Sequence, residues 1–243
     1  MKVIKNYLYN AGYQILNMII PLITVPYISR VLGAHDVGIN EYTNAWVTFF
    51  YLMGHMGITL YGNREVAYHR DDLYERSRTF WGVEALQLLT VSLSLIAYLA
   101  AVFLFSTTFK YYFLMQGLWI IATGLDVSWY FMGLENFKIT VVRNALVKLA
   151  SVILIFTFIK STADLGKYIL ILGGAQVVGN LTLWPYLKGN IVWVKISDWH
   201  PFKHFYPSLL LFIPTITTQV YLVLNRLMLG HMDSQAALGN FGQ

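Results

Sequence analysis

Asp126 lies seven residues inside the end of an apolar stretch over 112–133, which places its carboxyl roughly 10 Å deep if the stretch is a membrane helix. Charge at that depth is costly and demands compensation. Such an acid can bind a proton or a sodium ion, or accept hydrogen bonds from sugar hydroxyls in a cavity. A helix-pinning bond to Trp129 or to a neighbouring helix would satisfy it equally well. Arg30 and Arg226 fall near the outer ends of two other apolar stretches, where a pair of guanidinium groups can hold a pyrophosphate or simply snorkel to headgroups. Amides are scattered through the same stretches: Gln14, Asn17, Asn44, Gln116, Gln176, Asn180, Gln219 and Asn225. They suit hydroxyl recognition and suit interhelical hydrogen bonding just as well. His55, with a reference pKa of about 6.5, is a candidate proton carrier or a packed core histidine. Arg64 opens a charged run to Arg78, either a solvated face or a cytoplasmic mouth that meets anionic lipid. No residue is nominated for catalysis or as a metal ligand, because cysteine is absent and no histidine pair has ligand spacing.

The elements that must position these groups follow from composition. Of 243 residues, 57% are hydrophobic and 12% charged, against about 25% charged in soluble domains. The net charge of +5 does not indicate nucleic acid, since the basic residues sit between apolar stretches and form no single basic face. Stretches able to cross about 30 Å of hydrocarbon fall at 6–28, 40–61, 82–106, 112–133, 141–159, 168–187 and 206–229. The expected fold class is therefore an all-α integral membrane protein with about seven transmembrane helices. The fifth stretch carries Arg143 and Lys148 in its first half, which are expected to snorkel outward. Twelve Lys and Arg residues fall on the side of the N-terminus and five on the other, so the N-terminus is expected in the cytoplasm. The segments Gly62 to Trp81 and Lys188 to Phe205 mix aromatic and charged residues and are read as cytoplasmic loops able to lie as interfacial helices. No loop exceeds about 20 residues, short for a catalytic domain, and no phosphate-binding G-x-x-x-x-G-K-[ST] motif is present.

An internal repeat organises the chain. Ile20-Pro21-Leu22-Ile23-Thr24, Arg30 and Leu32-Gly33 recur as Ile213-Pro214-Thr215-Ile216-Thr217, Arg226 and Leu229-Gly230. Residues 1–187 are accordingly expected to form a six-helix lobe, 188–205 a cytoplasmic linker, and 206–243 the first helix of a second lobe in parallel orientation. Pro21, Pro26 and Pro214 remove backbone donors and are expected to bend the helices that open each copy, for alternating access or for packing.

Three stretches carry a resemblance. Pro21-Leu22-Ile23-Thr24-Val25-Pro26-Tyr27-Ile28-Ser29-Arg30-Val31-Leu32-Gly33, Gly57-Ile58-Thr59-Leu60-Tyr61-Gly62-Asn63-Arg64-Glu65 and Asp126-Val127-Ser128-Trp129-Tyr130-Phe131-Met132-Gly133-Leu134-Glu135 resemble the N-terminal half of the Wzx-type oligosaccharide repeat-unit flippases. Those belong to the multidrug/oligosaccharidyl-lipid/polysaccharide exporter superfamily. The resemblance implies one lobe of a two-lobed carrier, part of a longer protein of about twelve to fourteen helices. It implies a substrate too: an undecaprenyl-pyrophosphate-linked oligosaccharide turned from the inner to the outer leaflet for polysaccharide biosynthesis. No enzyme activity and no cofactor is implied, only coupling to H+ or Na+, with membrane lipids, a polysaccharide polymerase and a chain-length regulator as partners. A cation-coupled multidrug exporter of the same superfamily and a membrane-bound polysaccharide polymerase are the competing readings.

Overall fold

A computed structural model of the chain describes residues 2–105 and 108–214 and the single positions 216, 219 and 228, with only the backbone path for 2–10. Among these residues there are helices, short turns and one isolated bridge between Lys188 and Ile191, and no strand. Four helical segments are long and apolar enough to cross a membrane: Ala11–Tyr68, Leu73–Phe105, Phe137–Phe158 and Thr162–Leu187. The chain is an all-α integral membrane protein.

The first segment is 58 residues long, about 87 Å of helix, enough for two crossings. It belongs to α1 (Lys2–His55) and α2 (Ile58–Tyr68). Within α1 the backbone leaves helical geometry at Gly33, with φ 78° and ψ 163°, a region that costs a side chain but not glycine. The interruption therefore falls at Gly33 and at neither proline. A second interruption separates α1 from α2, where Met56 and Gly57 have φ of 42° and 72°. A Cβ on Gly57 would also lie 2.7 Å from the Ser208 carbonyl oxygen, so glycine is needed there on two counts. The stretch expected as one span over 40–61 thus turns before its end.

Beyond it, α3 (Leu73–Phe105) and α7 (Phe137–Phe158) are continuous, and α8 (Leu165–Leu181) follows a short turn. The stretch expected at 112–133 is not one helix. It is three short ones, α4 (Lys110–Gln116), α5 (Leu118–Gly124) and α6 (Ser128–Gly133). A further helical stretch at 205–214 leads towards 206–229, most of which lies outside the described residues.

Each long helix divides into a lipid face and a packed face. On α3, Leu89, Leu93, Ile96 and Phe103 are exposed while Phe80, Val83, Leu86 and Val91 are buried, a spacing of three and four that separates two sides of a helix. In water such an apolar surface would drive association; in lipid it costs nothing. The packed faces form three clusters. One joins Ile58, Tyr61, Phe80, Val83, Trp129, Tyr130 and Phe131; another joins Ile28 and Leu32 to Ile155, Ile159, Leu165 and Ile169; the third joins Val47, Val91, Tyr98, Phe113 and Ile120.

The first cluster explains why the second and third resembling stretches belong together. A Cβ on Gly62 would fall 2.5 Å from the Trp129 ring, and one on Gly133 2.7 Å from the Asn63 carbonyl. The two glycines let α2 and α6 approach to backbone contact.

Candidate functional site

Breaking a helix inside a bilayer frees carbonyls that lipid cannot satisfy, so protein must do it. The break between α5 and α6, which holds Asp126, is completed in this way. Gln87 Nε2 donates to the carbonyls of Thr123 at 2.7 Å and Asp126 at 3.0 Å. Asn180 Nδ2 donates to the Ala122 carbonyl at 2.6 Å and Trp184 Nε1 to that of Leu125 at 3.0 Å. Asp126 Oδ1 accepts the Ser128 backbone N–H at 2.9 Å, at the start of α6.

Onto this scaffold Arg143 folds inward. Its Nη1 donates to Asn180 Oδ1 at 3.1 Å and its Nη2 lies 4.0 Å from Asp126 Oδ1. Its side chain is 10% exposed, against 27% for that of Asp126. Snorkelling was the expectation for Arg143; the buried acid overturns it by supplying a partner inside the bundle. Lys148 likewise bonds Asn17 Oδ1 and lies 5.8 Å from the Tyr13 ring centroid. The alternative bond from Asp126 to Trp129 is not formed, since Trp129 Nε1 is buried without a partner among the described residues.

Two further titratable groups lie within Coulombic reach of Asp126. His55 Nε2 is hydrogen-bonded to Thr59 Oγ1 at 2.7 Å. Glu84 on α3 is 1% exposed, and neither of its carboxyl oxygens has a hydrogen-bond partner among the described residues. Sequence reasoning named Asp126, Asn180 and His55 and missed Glu84 and Gln87. The signal was available: Phe80, Val83, Glu84, Gln87 and Val91 follow the three-and-four spacing of the buried face of α3.

The other nominated residues are placed elsewhere. Asn44 lines a separate cavity of about 290 Å³ with Asn40, Glu41, Thr48, Gln116, Trp119 and Tyr168. Along α1, Asn44 is eleven residues from His55, about 16 Å. Gln176 is half-buried on α8, Arg30 is exposed just before the Gly33 break, and Arg64 is exposed on α2. Gln219 is half-buried, and Asn225 and Arg226 lie outside the described residues.

The segment after α8, expected as an interfacial helix, is instead a strap bound to the first turns of α3. Arg76 Nη2 and Tyr130 Oη both donate to the Asn190 carbonyl, at 2.8 and 2.6 Å. Val192 N–H donates to Ser77 Oγ at 2.9 Å, and Trp81 Nε1 donates to the Val192 carbonyl at 3.1 Å. Trp81 stacks on Trp199 at 5.4 Å between centroids and meets Trp193 edge-on at 4.7 Å. Gly82 admits the strap, since a Cβ there would lie 2.3 Å from the Trp199 carbonyl. His204 closes it, its Nδ1 2.7 Å from Tyr61 Oη. Burial, reinforced by Lys203, Arg78 and His200, pushes His204 down to about 4. At the far end of α7, Asp164 accepts from Lys167 Nζ at 2.6 Å and from the backbone N–H groups of Lys160 and Ser161, each at 3.0 Å.

Fold and site together define a multi-pass α-helical membrane protein with charged and polar groups held inside its helix bundle. The chain belongs to the polysaccharide biosynthesis protein family, whose model matches residues 3–242. It is 23% identical over 244 residues to a "Putative O-antigen transporter" of Escherichia coli K12, covering 98% of this chain and 58% of that protein. A protein of the same description from Shigella dysenteriae is 25% identical over 150 residues, covering 61% of this chain and 38% of its own length. The chain thus spans about half the length of the curated relatives it matches. No solved structure matches it.

Proposed function

We propose that this chain forms the first lobe of a flippase that carries undecaprenyl-pyrophosphate-linked oligosaccharide from the inner to the outer leaflet of the bacterial inner membrane, with its N-terminus in the cytoplasm. The observation that carries this reading is a charged cluster, Asp126–Arg143–Asn180, built at a broken helix of a membrane protein in a polysaccharide family. A broken helix with satisfied carbonyls lines polar paths through membranes, and a headgroup bearing sugars and phosphates needs such a path. The partly exposed Asp126 meets hydroxyls or a coupling ion, and the unpartnered Glu84 beside it exchanges a proton during transport. Arg30 and Arg64 meet the pyrophosphate at the two membrane surfaces. The carried oligosaccharide then passes to a polymerase and its chain-length regulator.

The test is deletion of the gene in its host, followed by complementation with the wild type and with Asp126→Asn and Glu84→Gln. The deletion is expected to abolish surface polysaccharide and to accumulate the lipid-linked repeat unit on the cytoplasmic side, and each variant to restore less than wild type. Normal surface polysaccharide with raised drug susceptibility would move the assignment to a multidrug exporter of the same superfamily. Repeat units that reach the outer leaflet but stay unpolymerised would indicate a polymerase.

A further inference from the structure

The cavity around Asn44 is separate from the Asp126 cluster and is walled mainly by neutral polar groups, with Glu41 as the one carboxylate in its lining. Asn40, Asn44 and Thr48 recur every four residues and so stand in one row along the second half of α1. Gln116, at the end of α4, crosses to this row: its Nε2 donates to Asn40 Oδ1 at 3.2 Å and to Thr43 Oγ1 at 3.3 Å. Gln116 is 1% exposed and its Oε1 has no partner among the described residues, while Asn40 is 8% exposed. Asn44 accepts a long bond of 3.5 Å from Thr48 and retains capacity for more. Glu41, whose carboxylate accepts hydrogen bonds, and the aromatic residues Trp119 and Tyr168 share the lining.

Size and composition select the ligand. A water occupies about 30 Å³ of liquid, so 290 Å³ holds about ten, far more than the close oxygen cage of a dehydrated cation. A pyranose ring has one apolar face of C–H bonds and an edge of hydroxyls. The C–H face suits an aromatic ring, and hydroxyls that both donate and accept suit side-chain amides. We infer that the cavity bounded by Asn40, Asn44, Thr48, Gln116, Trp119 and Tyr168 binds one pyranose residue of the transported oligosaccharide. The inference rests on the flippase reading and adds the place where sugar identity is read.

The test uses the full-length protein in lipid nanodiscs and follows tryptophan fluorescence while free glucose, N-acetylglucosamine, sorbitol or sodium chloride is added. One of the pyranoses is expected to give a saturable change at millimolar concentration, removed by Trp119→Phe and shifted at least five-fold by Asn44→Ala. Sorbitol and sodium chloride are expected to give none. An equal response to sorbitol, or a response to sodium alone, overturns the inference. So does no response to either pyranose in a protein that still restores surface polysaccharide, which leaves the flippase reading intact. Sugar binding in a protein whose deletion leaves surface polysaccharide unchanged sinks the flippase reading and keeps the sugar site.

Discussion

Asp126 and Asn44 are both polar residues inside a membrane bundle, and their surroundings are opposite. Around Asp126 the polar groups are tied to one another. Four carbonyls at the helix break accept from Gln87, Asn180 and Trp184, Arg143 supplies a counter-charge, and Gly62 and Gly133 let α2 and α6 close on the aromatic cluster beneath. Around Asn44 there is a cavity of about 290 Å³, with amides whose hydrogen bonds are long or incomplete. Charge inside a bilayer demands compensation, and Asp126 receives it from Arg143 while Glu84 has no hydrogen-bond partner among the described residues. Amides carry a far smaller penalty, and around Asn44 they leave a hollow in which Glu41 is the one carboxylate of the lining.

That contrast breaks most directly at Arg143. Arg143→Ala leaves Asp126 without its cation and Asn180 Oδ1 without its donor, and removing one partner of a buried pair costs about 3 kcal/mol or more. A fall in thermal stability of the detergent-purified protein measures it. The double variant Asp126→Asn, Arg143→Gln removes both charges and is expected to recover most of the stability without recovering polysaccharide export. A change under about 1 kcal/mol for Arg143→Ala would mean that the pair behaves as a solvated surface pair. Next in size is Gly62→Ala, whose Cβ would fall 2.5 Å from the Trp129 ring and which overpacking makes unfavourable by about 2 kcal/mol. Its control is Gly174→Ala, where no heavy atom lies within 4 Å and no loss of thermal stability is expected.

The fold class was legible because hydropathy alone decides where lipid-facing helices lie. Gly33 and Gly57 stood in quoted stretches, yet their left-handed backbones are invisible to hydropathy, which is why 40–61 read as one span. The break at Asp126 was hidden for the same reason, since Asp126 is the one charged residue over 112–133 and hydropathy reads that stretch as continuous. Arg143 was misplaced because snorkelling is the outcome for a cation with no partner, and its partner lies 17 residues away in sequence. Glu84 is legible by register, because it shares the buried face of α3 with Phe80, Val83 and Gln87. The strap read as interfacial because its tryptophans suit headgroups, and only their stacking on Trp81 shows that they bind protein first.

The strap belongs to the compensated region, and pH should loosen it. His204 has its ordinary pKa near 6.5 when released and about 4 when docked, so the released state takes up a proton first as pH falls. Docking is therefore fully favoured above about pH 6.5 and weakens through the window down to about 4. At pH 5 the loss amounts to about 2 kcal/mol. Limited proteolysis within 188–200 is expected to accelerate between pH 7.5 and pH 5. Tyr61→Phe, which removes the hydroxyl bonded to Nδ1, should raise cleavage at pH 7.5 and flatten the dependence. Cleavage independent of pH in the wild type would show that His204 does not hold the strap.

The smallest expected effect on stability is at Asn44, and it is the one that sharpens the contrast most. If the region around Asn44 is hollow, Asn44→Ala removes a single long bond of 3.5 Å within α1, weak at that length, and thermal unfolding should scarcely move. Export should change out of proportion to that, with the direction depending on the sugar carried: weaker for a repeat unit whose hydroxyl meets Asn44, unchanged for one that lacks it. Complementation of two host strains with different polymers separates these outcomes. A loss of stability comparable to that of Arg143→Ala would mean instead that Asn44 is a structural pin, that both polar regions are compensated networks, and that the difference between them is one of size alone.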